Sequence, residues 1–441
     1  MTNQVNKKIK ILHLIKSLGR GGAEKLIPET GLVHDQTRFE FHCLYFYHQQ
    51  NNIVDELEAA GIKVHLIPSS NLGLFFQVKR VKEFVRENQI DIIHAHLPWA
   101  GILSRFVGKE TKVPIVYTEH NTWDRYNKVS YWGNRVTFKH QDVAIAVSNE
   151  VALSMQLNSI FDPYRRGGRM KIKVIQNGVN TEVFRRTSED KKSASVPFNN
   201  EEIKRKENGE KRKENGEKRK ENGEKNPDKG SQSPNLPVSP SSNLKSQLGI
   251  PEAAKVIGIV AVFRDQKRLW VWVDLALQIL KKCENTHFLL VGDGEWRTRL
   301  ERQIDQSGKA ANFHLVGVQK QVIPYLSIMD IYLSSSEFEG LPIAMLEAMS
   351  CEVPVVATRA GGIGEVVQHG VQGFLSEIEE YDELSNYCVQ LINDSEIHRS
   401  MAAASRKRVV EQFSMKRMVE ELEGVYESVT ASDAGARQSV R

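Results

Sequence analysis

The chain is poor in cysteine. Cys43, Cys283, Cys351 and Cys388 are the only four in 441 residues, and they share no paired spacing. That scatter argues against a disulfide framework or a zinc site and suits a reducing compartment. Long apolar runs are also missing. Charges interrupt each run well short of the ~20 residues that span a bilayer, so no transmembrane helix is expected. The start, Met1 to Lys10, is polar and basic and leads into a strand-like run, so no signal peptide is expected. Nor does a Gly-x-Gly-x-x-Gly follow that first run, and nothing requires a nicotinamide dinucleotide.

One stretch lacks large apolar residues almost entirely. From Ser188 to about Asn243 the chain is Lys, Glu, Asn, Gly, Ser and Pro, with KRKENGE three times in tandem from Lys204 to Glu224. A seven-residue period suggests a coiled coil, but no position of the repeat is apolar and each copy carries Asn-Gly. Such a segment cannot offset the entropy of ordering itself. We therefore expect 188–243 to be a disordered, mixed-charge insertion between two domains, 1–187 and 244–411. The interleaved Glu cancels much of any attraction to phosphate, so no nucleic acid partner is expected.

What is present is two similar halves with opposite charge. Residues 1–187 carry 26 Lys+Arg and 17 Asp+Glu, against 20 and 27 in 246–441, beneath a mild total of +5. A basic front half points to an anionic partner. Both halves alternate short β-rich runs with helical ones. In front the runs include Ile9–Ile15, Phe39–Tyr47, Asp91–His96, Val113–Thr118 and Asp142–Val147; behind, they include Lys255–Val262, His287–Gly292, Asp330–Ser334 and Val353–Thr358. Continuous apolar strands followed by helices predict parallel sheets covered on both faces, hence two doubly wound α/β domains in tandem with a cleft between them. Phe413, Met418, Leu422, Val425 and Tyr426 make one apolar stripe near helical spacing, with 430–441 expected as a disordered tail.

Two motifs carry chemistry. Gly19, Gly21 and Gly22 follow the first strand-like run and let backbone amides approach a phosphate. In the second, SSSEFEGLPIAMLEAM from Ser334, a Ser-rich loop leads through Gly340 to Pro342, placed at the first position of a helix. Glu347 lies inside that helix among Ile343, Leu346, Ala348 and Met349, where a carboxylate is costly without a partner. Free amides near Gly340 to Ile343 are donors for a phosphate or sugar oxygen.

Glu339 and Glu347, with seven residues between them, resemble the E-x7-E motif of retaining glycosyltransferases with the GT-B fold, most closely glycosyltransferase family 4. Ser334–Leu375 resembles that family's signature almost throughout, and GGAE (Gly21–Glu24), TEHN (Thr118–Asn121), VIQNGVNTEVF (Val174–Phe184), LLVGDGEWRTRLE (Leu289–Glu301) and HLVG (His314–Gly317) fall in the expected order. The resemblance implies two Rossmann-like domains. It implies that Glu347 holds a nucleotide ribose, that Glu339 contacts sugar hydroxyls, and that Gly340, Leu341 and Pro342 face the donor. Arg264 and Lys267 match the Arg/Lys pair that neutralises a diphosphate, with Arg268 able to replace Lys267. His120 is implied to point at the donor sugar. Gly21, Gly22, Val318 and Glu365 are expected on the donor side, and His94 and His96 on the acceptor side. No metal is implied, since Arg and Lys supply the charge, and His-x-His shows no third ligand at a telling spacing.

The function expected is transfer of a sugar from a nucleotide diphosphate donor to an acceptor hydroxyl, without a cofactor, in polysaccharide, lipid-linked oligosaccharide or glycolipid synthesis. The alternatives are a GT-B nucleotide-sugar epimerase and a non-catalytic nucleotide-sugar-binding protein. The basic front half favours a glycan or lipid-linked acceptor and a cytoplasmic enzyme touching an anionic membrane. The stretch from Gln77 to Arg86, with Val78, Val81 and Val85 beside Lys79, Arg80, Lys82 and Arg86, is expected to make that contact.

Overall fold

Apolar β-branched runs alternate with amphipathic ones, and the chain folds accordingly. A computed structural model of the protein describes residues 7–50, 52–70, 73–155, 171–186 and 241–438. The expected insertion and its KRKENGE repeats lie outside the described residues, except for 241–243, which open the helix Ser241–Gln247.

The front sheet has seven strands: β1 Ile9–Leu14, β2 Phe39–Tyr45, β3 Lys63–Leu66, β4 Ile92–His96, β5 Ile115–Glu119, β6 Val143–Ala146 and β7 Lys171–Val174. They are all parallel, in the order β3-β2-β1-β4-β5-β6-β7, with Leu12 of β1 facing His42 on one side and Ile93 on the other. The back sheet has six: β8 Lys255–Val260, β9 Thr286–Val291, β10 Phe313–Gly317, β11 Ile331–Ser334, β12 Val355–Thr358 and β13 Gly373–Ser376. Its order, β10-β9-β8-β11-β12-β13, repeats the front pattern. The chain is thus two Rossmann-like domains, as the alternation predicts.

In each sheet the strand order reverses once, between β1 and β4 and between β8 and β11. Ligands of such sheets sit beyond the carboxyl ends at that reversal. Several of the motifs found in the sequence lie at or beside those carboxyl ends: Gly19–Gly22 after β1, His96 ending β4, His120 after β5, Arg264 after β8 and the Ser335–Gly340 loop after β11.

The long helix Met415–Gln438 returns to the front domain. Its Leu422, Val425, Tyr426 and Val429 are buried with Ile11, Phe39 and Phe41 of the front sheet. Just before it the chain passes beside the first crossing between the domains, where the Val179 amide donates to Phe413 O (2.9 Å) and the Met415 amide to Val179 O (2.8 Å).

Three expectations change. The last helix runs to Gln438, through the residues expected as a tail, because Ala431, Ala434 and Ala436 favour helix. Strand β13 has no counterpart in the sequence reading, since only Phe374 and Leu375 of its four residues are apolar. In the helix Val78–Glu87, Val81 and Val85 are 0% and 2% exposed. The stripe expected to meet a membrane is therefore the helix's core face.

Candidate active site

On the back domain, β8 leads to the exposed Arg264 and a single tight turn, Asp265–Lys267. That turn is strapped to the loop after β11. Ser335 Oγ donates to the carbonyls of Lys267 (3.1 Å) and Arg268 (3.0 Å), and the Glu337 amide to Gln266 O (2.9 Å). The strap sets Lys267 Nζ 2.5 Å from Glu339 Oε1, which also accepts from Ser336 Oγ at 2.6 Å. Arg268 adopts the left-handed conformation (φ 47°) and turns away, donating to Ile378 O (3.1 Å) and lying over the Tyr381 ring. Of the two cations, Lys267 is the one that joins Glu339.

Pro342 caps the helix Ile343–Ser350 from one residue outside it, rather than occupying its first position. The Leu341 carbonyl accepts from Asn177 Nδ2 (2.9 Å) across the cleft. Gly340 has no substitute here, since a Cβ on it would sit 1.9 Å from His120 O. Behind it, the Gly362 amide donates to Gly340 O (3.0 Å), and Gly361 sits at φ +57° against the Glu339 backbone. Val318 is exposed just past β10.

Glu347 is 2% exposed, and burial raises its pKa. The front helix Gly22–Gly31, entered through Gly21, packs over it. Leu26 joins Ile343, Met415 and Val419 in one small apolar cluster, and Gly22 lies against Ile343. This contact brings up Glu29, whose pKa is pushed to about 8 by burial and by repulsion from Glu347, with Lys25 opposing both shifts. Glu29 Oε2 is buried without a partner. Glu24, in the first turn of the same helix, has its pKa raised by burial against the attraction of Arg264 on the facing domain.

The front half is organised by Glu119, a fully buried carboxylate to which the sequence reading gave no role. It accepts from Tyr117 Oη (2.6 Å), Trp123 Nε1 (2.9 Å), Tyr126 Oη and the His120 amide (3.0 Å). Burial raises its pKa against these hydrogen bonds. The network fixes the loop that presents His120, whose Nε2 is buried and unpartnered and whose pKa burial lowers to about 4.

His94 and His96 lie inside the sheet. His94 bonds Tyr426 Oη and Thr118 Oγ1, both at 2.7 Å, beneath the last helix, so neither ring nitrogen is left for an acceptor. His96 Nε2 meets His13 Nδ1 at 3.0 Å, while its Nδ1 is unpartnered. The third histidine missing from the sequence pattern is thus His13, on β1. The ligand nitrogens of His13, His94 and His96 lie within 4.8 Å of one another. Both nitrogens of His94 and the facing nitrogens of His13 and His96 are already engaged, with hydroxyls and with each other, a poor fit for an ion. The rings border a cavity of about 20 Å³, room for about one water.

Glu365, expected on the donor side, reaches the facing domain. One carboxylate oxygen accepts from the Asn149 amide (2.8 Å), the other from Asn149 Nδ2 and Gln176 Nε2 (2.8 Å each), so it closes the cleft from the opposite domain. Arg125 adds a second link, 3.4 Å from Glu337 and over the Phe338 ring. Asn149 gave no signal in the sequence. Gln176 and Asn177 lie in VIQNGVNTEVF, where the motif was legible and their contacts were not.

Comparison with known proteins agrees with this arrangement. Residues 21–183 match the family described as Glycosyltransferase Family 4, and residues 241–408 match Glycosyl transferases group 1. Each half of the chain thus carries a glycosyltransferase domain. It is 34% identical over 203 residues to an N-acetyl-alpha-D-glucosaminyl L-malate synthase of Bacillus anthracis, covering 44% of this chain and 51% of that protein. The match thus spans about half the length of that curated relative. A UDP-Gal:alpha-D-GlcNAc-diphosphoundecaprenol alpha-1,3-galactosyltransferase of Escherichia coli is 24% identical over 96% of this chain and 97% of its own. Among solved structures, Anabaena HepE in complex with UDP and glucose shares the fold, with a TM-score of 0.74 at 21% identity over 95% of this chain and all of that one. Among the described residues, no helix is long and apolar enough to cross a membrane.

Proposed function

We propose that the protein is a retaining glycosyltransferase that moves a sugar from a nucleotide diphosphate donor to an acceptor hydroxyl. The observation that carries this is the meeting, in one cleft, of Lys267 on Glu339, Arg264 beside them, and His120 against Gly340. The leaving diphosphate gains negative charge as the glycosidic bond breaks. Arg264 and Lys267 stabilise that charge most in the transition state, joined by the amides at the start of the helix Ile343–Ser350. Glu347 accepts from the ribose hydroxyls, and Glu339 and His120 hold the sugar. The cations supply the positive charge, so the reaction needs no metal.

The acceptor is a glycan or lipid-linked oligosaccharide on the cytoplasmic side of a membrane, with the enzyme in peripheral contact. The basic front domain favours an anionic, membrane-held acceptor, and the name of the E. coli relative includes a diphosphoundecaprenol. Incubation with radiolabelled nucleotide sugars, UDP-sugars first, with and without a membrane lipid extract and EDTA, tests this reading. The expected result is label transferred to lipid with EDTA present. Interconversion of the donor alone would make the protein an epimerase. Binding without turnover would make it a non-catalytic binder, and loss in EDTA restored by magnesium would overturn the metal-free site.

A further inference from the structure

The helix Lys128–Thr137 is built inside out. Its polar residues face inward: Ser130 and Asn134 are 2% and 0% exposed. Asn134 receives Arg105 Nη1 at 2.7 Å on its Oδ1 and reaches toward Glu119 with its Nδ2. Its apolar residues face outward at positions i, i+3 and i+7: Val129, Trp132 and Val136 are 68%, 52% and 50% exposed. A surface helix ordinarily does the reverse, and contiguous exposed apolar area marks an interaction site.

The outward stripe is one wall of a groove of about 620 Å³, with Val78 and Phe106 across from it and Ile102 on its floor. Gly133 forms part of this wall, and a Cβ there would meet Ile102 Cδ1 at 2.8 Å, so the helix lies close and the groove stays open. Phe76, 84% exposed, stands two residues before Val78. Exposed cations lie along the same elements: Lys128 and Lys139 at the ends of the stripe, Lys109 a turn beyond Phe106, and Arg80 after Val78. Arg135 lies over the Trp132 ring. The nearby acids are partly spent, Glu110 on Lys82 and Glu83 facing Lys79.

We propose that this face docks on an anionic lipid bilayer, with Val129, Trp132 and Val136 entering the headgroup region and the surrounding cations resting on its charge. An apolar stripe with a tryptophan and a basic rim is the pattern of an interfacial helix. The position suits the chemistry, because Lys128 lies only eight positions after His120. At about 3.5 Å each these reach at most ~28 Å, so a docked molecule holds its cleft near the membrane surface. The proposal rests on the peripheral membrane contact read above but not on the donor chemistry, since a protein that transfers nothing could dock in the same way.

The test is co-sedimentation of the full chain with vesicles of phosphatidylcholine alone or mixed with phosphatidylglycerol, at low and high salt. Wild type should bind the mixed vesicles, more weakly as salt rises. The pair Val129→Asp with Val136→Asp should lose at least tenfold in partitioning at every salt concentration. Because both positions are exposed, the thermal midpoint should not move. Lys128→Gln and Lys139→Gln should each lose about fivefold, the equivalent of ~1 kcal/mol per cation, at low salt only. Three results would overturn the proposal: no binding of wild type to mixed vesicles at low salt, unchanged binding by the Asp pair, or vesicle-independent self-association that the Asp pair abolishes.

Discussion

At the scale of the residue, the site is a set of charges held where water would not leave them. Glu347 faces a like charge, Glu29, with Lys25 between the domains as their common counterion. Replacing Glu347 by Ala should weaken donor nucleotide binding by ~1.5–3 kcal/mol, the usual worth of hydrogen bonds to a charged group. Because the change also relieves Glu29, thermal stability should hold. Calorimetric titration with the nucleotide checks the first and a melting curve the second; equal affinity would remove Glu347 from the site. Acid and base should act on stability from opposite sides. Burial holds His13 near pKa 3, His120 near 4, and His94 and His96 well below the ordinary 6.5. The unfolded chain therefore binds more protons over that range, and stability should fall as pH drops from about 6.5 toward 4. Glu29 does the opposite: raised from 4.5 to about 8, it should make stability fall as pH rises through that window. Melting temperatures from acid to alkaline pH should give a dome, and Glu29→Gln should flatten its alkaline limb. An unchanged limb in that variant would place Glu29 in water.

At the scale of the element, the sequence was most readable where one strand or loop carries its own signal. Ile9–Leu14, Ile92–His96 and Ser334–Gly340 could be placed from apolar runs and glycines, because strand period and turn chemistry are local. Glu339 and Glu347 could be singled out by a family resemblance that lies within one loop and the helix after it. What stayed hidden depends on two elements meeting. Glu119 in TEHN is an ordinary acid in sequence and the centre of a hydrogen-bond network in the fold. His13 sits more than eighty residues from His96, its partner. The helix Val78–Glu87 looks amphipathic toward a membrane until the core claims Val81 and Val85, while Lys128–Thr137 looks unremarkable until its polar face is seen to be the buried one. Glu365 belongs to this class too, since its partners come from the other domain. Glu365→Gln should keep the fold but weaken closure. Small-angle scattering should show a larger radius of gyration, with turnover falling more than nucleotide affinity. Affinity falling alone would return Glu365 to the donor pocket.

At the scale of the whole molecule, the two domains were separable in the sequence because composition breaks near residue 188. Their contact was not, being made of groups far apart in the sequence. Deleting Lys191 to Lys229 should leave folding and nucleotide binding intact, because that stretch offers a core no apolar face and its charges nearly cancel. Its lysines should be the first sites cut by limited trypsin, leaving two fragments of similar size joined through the cleft and the returning helix. Loss of soluble protein on deletion would show that the segment packs against the domains.

The side-by-side passage of the chain at Val179 and Ser414 has a mechanical meaning. Two bodies tied at a single point can tumble, slide and twist against each other. Here both ties share one backbone pairing, and Gly178 lies so close that a Cβ would meet Ser414 O at 2.6 Å. We expect the pair to act as a hinge for the cleft. Opening about it should part Gly340 from His120, Glu365 from Asn149 and Arg264 from Glu24 together.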